Sequence, residues 1–246
     1  EQIIFEKTSS LLTSKIIVAK QSTKKIINTI EKTISNNSSK KIIFNKDYNF
    51  KLKKNTFLYQ DEIGSLKLSK PNIIGKFQLE NISTAIATAR QLTNYKVSNN
   101  QIKKGITKIK SIARLQEIRK GKLKNLVKKN KLLIDGSHNP LGAKVINEYL
   151  NGFNCNKHLI LGMMKNKDHN EYISYFKKIS SLTIIDIPNQ ANSIRGFDLK
   201  KKLNKFPNSQ YKRSIQEAIK SIPLKKNDII LITGSLYLCS EILSLN

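Results

Sequence analysis

The sequence has no tryptophan, two cysteines and no long apolar run, and each of these shortages narrows the classes of protein to consider. Cys155 and Cys239 lie far apart and lack the spacing of metal ligands, so we expect no zinc site and a reduced, cytoplasmic setting. No apolar stretch approaches the length of a membrane span, and no signal-peptide pattern is present. The sequence therefore predicts a cytoplasmic protein without a membrane partner.

Acidic residues are scarce, with 17 Asp and Glu against 45 Lys and Arg, which leaves a formal net charge of +28. Forty of the basic residues are lysine, and Lys, Ile and Asn are abundant everywhere, as biased codon usage in an AT-rich genome would produce. No zinc-finger, KH or RRM signature is present, and basic residues do not alternate with aromatic ones. We therefore expect no specific nucleic-acid partner, although such a charge attracts nucleotides and polycarboxylates.

The 246 residues suffice for one large domain or two smaller ones. The sequence begins at Glu1 rather than Met, and we expect a processed chain or, in preference, a piece of a longer protein. From residue 111 onward, short apolar runs alternate with segments of helical spacing, which predicts an α/β fold with a mostly parallel sheet and helices on both faces. Within this part, residues 115–118 and 123–127 are predicted to form a hairpin.

The stretch from Leu132 to Asn151 changes its apolar period in the middle. An apolar run ends at Asp135, a short polar loop follows, and helical spacing begins after Pro140. This predicts a buried strand, a tight loop and a helix, which is where open α/β sheets bind ligands and where a helix N-terminus favours an anion. Asp135 and His138 could reach a metal, a ribose or a phosphate there, while an Asp after a strand is also a common turn former or helix cap.

The string DGSHNP, residues 135–140, followed by a helix resembles the C-terminal signature of the folylpolyglutamate synthase/dihydrofolate synthase family, which is Mur-ligase-like. Three other stretches resemble the same family in the same order. Glu6 and Lys7 resemble its EKAG segment, although the Ala-Gly is lost here. The run from Gly75 to Ala85 resembles G-x-x-Q-x-x-N-x-x-T-A, and Arg114 falls in a segment similar to G-R-x-x.

The resemblance implies an ATP-dependent amide ligase that uses Mg²⁺ and adds L-glutamate to dihydropteroate or folate through an acyl phosphate, as part of folate and one-carbon metabolism. It implies nucleotide-binding roles for Asn81, Arg114, Asp135 and His138, with Asn81 near the first turn of its helix. It also implies catalytic roles for Lys7 and His138. Lys7 would support the metal when carboxylated, and we expect it to be carboxylated in an intact parent enzyme and plain lysine in this chain. We expect a monomer.

By the same resemblance, residues 1–110 are the C-terminal part of a central P-loop ATPase domain, and residues 111–246 are a Rossmann-like C-terminal ligase domain. The family's phosphate loop, G-x-x-x-x-G-K-[ST], does not occur in this sequence, so we expect an incomplete enzyme. Two alternatives stay open at this point. A UDP-muramyl peptide ligase shares the architecture and an H-N-P loop, and a non-catalytic remnant or binding module would also lack the phosphate loop.

Overall fold

The structure, a computed structural model, describes residues 2–9, 11, 15–71, 73–203, 206 and 208–246. The chain divides into two compact units, Glu1–Lys110 and Ser111–Asn246. Each unit has its own hydrophobic clusters. Within the described ranges, no helix is both long enough and apolar enough to cross a lipid bilayer.

The described part of the first unit contains four helices and five strands. In chain order these are α1 (Gln2–Thr8), β1 (Ile16–Val18), α2 (Lys24–Ile34), β2 (Lys41–Ile43), β3 (Tyr48–Lys53), β4 (Thr56–Asp61), β5 (Gly64–Ser69), α3 (Lys76–Gln91) and α4 (Asn99–Thr107). β1 and β2 pair in parallel, and β3, β4 and β5 form an antiparallel sheet. A capping box at Ser98 starts α4, because the Ser98 and Gln101 side chains each bond the other residue's backbone N–H.

The antiparallel sheet is apolar on one face only. Its register places Tyr59 between Phe50 and Leu66, and all three belong to or contact one hydrophobic cluster. Buried residues of α3 and α4, such as Leu79 and Ile102, belong to the same cluster. Because successive strand residues point to opposite faces, the other face carries the exposed lysines and solvates the sheet.

A buried ion pair joins α3 to β4. Nε of Arg90 lies 3.0 Å from Oδ2 of Asp61, and the two side chains are 5% and 3% exposed. The Tyr59 hydroxyl donates to the same carboxylate at 3.0 Å. Burial and the neighbouring Asp61 charge raise the pKa of Tyr59 far above its usual value, so the phenol stays a donor. The pair fixes the helix on the sheet, because removing one partner would leave a buried charge uncompensated.

The described part of the second unit contains six strands and six helices. In chain order these are β6 (Gln116–Glu117), α5 (Lys122–Val127), β7 (Lys131–Asp135), α6 (Pro140–Asn151), β8 (Lys157–Leu161), α7 (His169–Ser174), β9 (Ser181–Ile185), α8 (Gly196–Lys202), β10 (Gln210–Lys212), α9 (Ile215–Lys220), β11 (Ile229–Thr233) and α10 (Leu236–Leu245). The strands form one sheet in the order β10-β9-β8-β11-β7-β6. Only β6 is antiparallel to its neighbour, so the predicted α/β fold with a mostly parallel sheet is confirmed.

Helices cover both faces of this sheet. Leu132 and Ile134 of β7 lie in a cluster with buried residues of α5, α9 and α10. Leu133, between them on the strand, points to the opposite face. The buried residues of α6, α7 and α8 lie outside that cluster, and these three helices contact one another in sequence. They therefore cover the face to which Leu133 points.

The predicted hairpin of residues 115–118 and 123–127 is wrong. Residues 123–127 lie in the helix α5, and β6 pairs instead with β7. Leu123, Leu126 and Val127 recur at i, i+3 and i+4, which places them on one helical face that packs against the core. In so short a segment, three apolar positions do not establish a period by themselves, and tertiary packing decides between strand and helix.

The backbone before β6 is bent by two residues in the left-handed region. Ala113 has φ of 52° and Leu115 has φ of 49°. Both side chains are buried, while Arg114 between them is exposed. The family resemblance has glycine at the position of Ala113, and a left-handed φ is the physical reason for glycine there. In this chain the residue with the left-handed φ is an alanine, so its backbone is strained.

Ala113→Gly should be at least about 1 kcal/mol less destabilising than Ala143→Gly, a matched control within α6. Both alanines are buried, so both variants lose one methyl group. Only the first relieves a left-handed residue, which costs roughly 1–2 kcal/mol, and the second loses about 1 kcal/mol of helix propensity. Urea unfolding followed by circular dichroism measures the difference. Equal losses in the two variants would show that residue 113 is unstrained.

Candidate functional site

The side chain of Asp135 lies at the carboxyl end of β7, and it is 1% exposed. Its Oδ1 accepts the backbone N–H of Ser137 at 2.8 Å, and its Oδ2 accepts the backbone N–H of Leu115, also at 2.8 Å. One carboxylate therefore holds the loop that follows β7 and the bent segment that precedes β6. Charge-assisted bonds of this kind are stronger than neutral ones, so both segments are held firmly.

Three loops meet at this end of the sheet, since β8, β11 and β7 are adjacent and parallel. The N–H of Gly234, after β11, donates to the Ser137 carbonyl at 3.1 Å, and the N–H of Gly162, after β8, donates to the Thr233 carbonyl at 3.2 Å. Gly234 has φ of +106°, and a Cβ there would lie 2.5 Å from the Gly162 carbonyl oxygen. Glycine is thus required for the loops to approach so closely.

Arg114 is presented to solvent by the bent segment. The Ala113 carbonyl accepts the N–H of Gly136 at 2.8 Å, and the Ala113 N–H donates to the side chain of Gln116 at 2.9 Å. In the part of the chain that the structure describes, the Arg114 guanidinium makes no hydrogen bond or ion pair. Its five donors are therefore available to an anion, and a planar fork suits phosphate or carboxylate oxygens.

His138 lies in the loop between β7 and α6 and is partly buried. Its Nδ1 lies 3.2 Å from the Gly136 carbonyl oxygen. These two atoms form a hydrogen bond when Nδ1 carries the proton. Nε2 is then an acceptor. Asn139 is the N-cap of α6 and accepts the Gly142 N–H at 2.8 Å, with Pro140 at the first position as predicted.

Two buried groups under the loops, Tyr172 and Cys239, stay neutral at ordinary pH. Burial raises the pKa of Tyr172 far above its usual value, and its hydroxyl bonds the Thr233 hydroxyl at 2.7 Å. The pKa of the Cys239 thiol is raised to about 12, mainly by burial and then by the Asp135 carboxylate, while Arg114 lowers it. Cys239 is therefore no nucleophile at neutral pH. Arg114 directly precedes Leu115, whose backbone N–H donates to Asp135, so these two residues share a neighbourhood.

The first unit carries the other two predicted site residues, Asn81 and Lys7. Asn81 is exposed on α3 and donates to the Gln78 side chain at 3.3 Å. It lies in the second turn of α3, which begins at Lys76, next to the first turn near which it was expected. Lys7 lies on α1 with 77% of its side chain exposed, 3.8 Å from the Glu6 carboxylate.

The described residues do not fit a magnesium site. Among them, no group of three or more His, Cys, Asp or Glu side chains could hold a metal ion. Mg²⁺ prefers several oxygen ligands in near-octahedral geometry. The exposed Lys7 and Glu6 pair offers no such set, so we assign no chemical step to a metal through these residues.

Sequence patterns missed several residues that build the site. The side chain of Gln116 holds the bent segment, and the bond between Tyr172 and Thr233 joins α7 to β11. Leu115 contributes its backbone N–H to Asp135 across 20 positions of sequence. Of these residues, only Thr233 is indicated by the sequence, because it ends an apolar run and directly precedes a glycine.

The second unit matches a known family model, described as the Mur ligase, glutamate ligase domain, over residues 113–236. The folylpolyglutamate synthase of Lacticaseibacillus casei is 26% identical over 197 residues, which are 76% of this chain and 42% of that protein. The chain thus spans less than half the length of this curated relative.

Solved structures of the same kind of protein share the fold. A folylpolyglutamate synthase from Mycobacterium tuberculosis has a TM-score of 0.82 at 14% identity, covering 99% of this chain and 58% of that chain. FolC from Escherichia coli has a TM-score of 0.78 at 19% identity, covering 98% and 55%. The Thermotoga maritima folylpolyglutamate synthase has a TM-score of 0.73 at 22% identity, covering 100% and 58%.

The family match begins at the strained Ala113 and ends at Leu236, the first residue of α10. It therefore covers half of the chain and all three loops that meet at Asp135. The strings DGSHNP (residues 135–140) and GKFQLEN (residues 75–81) were found to resemble the folylpolyglutamate synthase family. The relative from that family and the family model confirm this resemblance. The chain belongs to the Mur ligase family through its glutamate ligase domain, and it resembles the C-terminal portion of folylpolyglutamate synthases.

Proposed function

We propose that this chain is part of an ATP-dependent ligase that adds L-glutamate to dihydropteroate or folate. Its glutamate ligase domain supports the reaction class, and the folylpolyglutamate synthase relative supports the folate substrate. Structures of the fold neighbours are described as complexes with ADP, with DHPP and ADP, and with Mn, AMPPNP and L-glutamate. The observation that carries the proposal is the exposed Arg114 beside the loop system that Asp135 holds.

The two units receive different roles in this proposal. We assign residues 1–110 to the C-terminal part of a central ATPase domain, and residues 111–246 to a Rossmann-like ligase domain. The division of the chain after Lys110 supports this assignment, as does the start of the family match at residue 113. The remaining partners are proposed as small molecules only, with a monomeric protein in the cytoplasm.

The proposed reaction has two steps. A carboxylate oxygen of the pteroyl substrate attacks the γ-phosphorus of ATP, which forms an acyl phosphate and releases ADP. The amine of glutamate then attacks the acyl carbon, so that an amide bond forms, phosphate leaves and the amine loses a proton. The protein contributes mainly the positions of the reactants and the neutralisation of phosphate charge.

The proposed roles differ between the buried and the exposed residues. Arg114 binds phosphate oxygens, His138 contacts the nucleotide through Nε2, and Asn81 bonds the adenine. Asp135 is a positioning residue, because both of its oxygens hold backbone N–H groups. Lys7 receives no step, since the described residues around it form no metal site.

The 246-residue chain alone should show no ATP-dependent glutamate ligation, because its sequence contains no phosphate loop. A polypeptide that joins this chain to a segment with such a loop should form product from ATP, Mg²⁺, glutamate and dihydropteroate or tetrahydrofolate. ADP release that depends on glutamate measures both. Turnover by the chain alone would contradict the first expectation.

A joined polypeptide that binds nucleotide without ligation would favour a binding module instead, and one that ligates only UDP-muramyl substrates would favour that peptide ligase.

Arg114→Gln in the joined polypeptide should lower kcat/KM for ATP by roughly tenfold to a hundredfold, the equivalent of losing one charge-assisted hydrogen bond of about 1.5–3 kcal/mol. The free energy of unfolding should stay the same, because this guanidinium has no partner within the described residues. Arg119→Gln is the matched control, since the Arg119 side chain is 80% exposed and, among the residues that the structure describes, pairs only with Glu117, at 3.3 Å. Equal activity in the two variants would remove Arg114 from the site.

Asp135→Asn should destabilise the 246-residue chain by roughly 1.5–3 kcal/mol. An asparagine side chain is neutral and has one acceptor oxygen, so it cannot replace the carboxylate that accepts both backbone N–H groups. At an ordinary turn, asparagine would replace aspartate without loss of the fold, because both side chains serve turns and caps. Asp198→Asn, at an exposed position in the first turn of α8, should cost less than about 1 kcal/mol. Urea unfolding of both variants decides. Equal midpoints would show that the two bonds to Asp135 add no stability.

A further inference from the structure

The first unit contains a cleft of about 570 Å³ that none of the predicted site residues lines. Its walls come from the edge strand β3, the residues after β2, and the start of α3 together with the loop before it. A cleft of this volume lies in the range that holds a small organic ligand.

Two phenylalanine rings form one wall of the cleft. Phe44 and Phe50 are both partly exposed, with ring centroids 6.1 Å apart and planes at 58°. Phe50 stacks on the buried Phe57 at 4.9 Å, and Phe44 meets the buried Tyr48 edge-on at 5.4 Å. The core therefore holds each ring from behind, so that the cleft has a fixed aromatic wall.

The rim of the cleft is positively charged. Lys20, Lys70 and Lys76 line the cleft, and so does Glu80, which pairs with Lys20. Lys70 and Lys76 make no ion pair with any carboxylate that the structure describes. Lysines are common throughout this chain, so charge alone would not distinguish the cleft. The cleft is distinguished by the combination of two lysines without an ion pair and two aromatic rings that the core holds from behind.

The cleft includes Gly75, the first residue of the family motif, but it lies on the opposite side of α3 from Gln78 and Asn81. Lys76, Leu79 and Glu80 line the cleft, and they fall within one side of the helix at 100° per residue. Gln78 and Asn81 fall on the other side by the same rotation. A ligand in the cleft would therefore lie away from Asn81.

We infer that this cleft binds a planar aromatic anion. The aromatic ring lies against Phe44 and Phe50, and the carboxylate or phosphate group lies near Lys70 and Lys76. Ring contacts favour an aromatic group, and lysine ammonium groups suit either anion as point charges. The inference depends on the lining of the cleft and not on the ligase reaction. Pteroyl carboxylates and adenine nucleotides are two sources of this chemistry.

Isothermal titration of the 246-residue chain with pteroate, AMP and L-glutamate tests the inference. At least one aromatic anion should bind, and glutamate, which has no ring, should bind at least tenfold more weakly. The Lys70→Gln, Lys76→Gln double variant should raise the Kd of that aromatic anion at least tenfold. Lys51→Gln, Lys67→Gln is the matched control, because it removes the same charge on the opposite face of the antiparallel sheet, and it should change the Kd less than threefold.

A second variant separates the rings from the charge. Phe44→Leu keeps an apolar side chain and should raise the Kd for the aromatic anion about three- to tenfold. A loss confined to pteroate would identify the pteroyl source, and a loss confined to AMP would identify the nucleotide source. The inference is overturned if neither aromatic anion binds at millimolar concentration, or if both lysine double variants lose the same affinity. Binding lost only in Arg114→Gln would also overturn it, since the ligand would then lie at the candidate site.

Discussion

The second unit depends on one buried carboxylate. Asp135 accepts backbone N–H groups from Leu115 and Ser137, which lie on opposite sides of β7 in the sequence. From these two residues, backbone hydrogen bonds continue through Ala113 and Gly136, and through Ser137 and Gly234. The loops that could hold a ligand therefore share one electrostatic anchor, and the exposed groups beside it need no direct support of their own.

The sequence was most informative where the spacing of apolar residues changes from that of a strand to that of a helix. The strand, loop and helix around Asp135 could be predicted, because the apolar run before Asp135 and the helical spacing after Pro140 are local features. The bond to Leu115 could not be predicted, since it depends on how residues 20 positions apart meet in the sheet. The strand β10 escaped prediction because Tyr211 is its only large apolar residue, and β9 supplies its hydrogen bonds.

Arginine is informative in a chain with so many lysines. Only five of the 45 basic residues are arginine. Arg90 is buried against Asp61, where a weakly hydrated planar cation is easier to desolvate than an ammonium group. Arg114 lies exposed between two strained and buried residues, where a rigid fork of donors faces solvent. At both positions the chain carries a planar guanidinium, which is more weakly hydrated and has more donors than the ammonium of lysine.

The position of β11 has a consequence for biosynthesis. This strand comes last in sequence, yet it pairs with β7 on one side and β8 on the other, at the middle of the sheet. A nascent chain that has left the ribosome as far as α9 would have two sheet fragments with nothing between them. The second unit must therefore wait for its final residues before it becomes stable, whereas the antiparallel sheet of the first unit is made of neighbouring strands and can form early. During that interval, β7 and β8 expose unpaired edges, and such edges make a partly folded chain prone to aggregate.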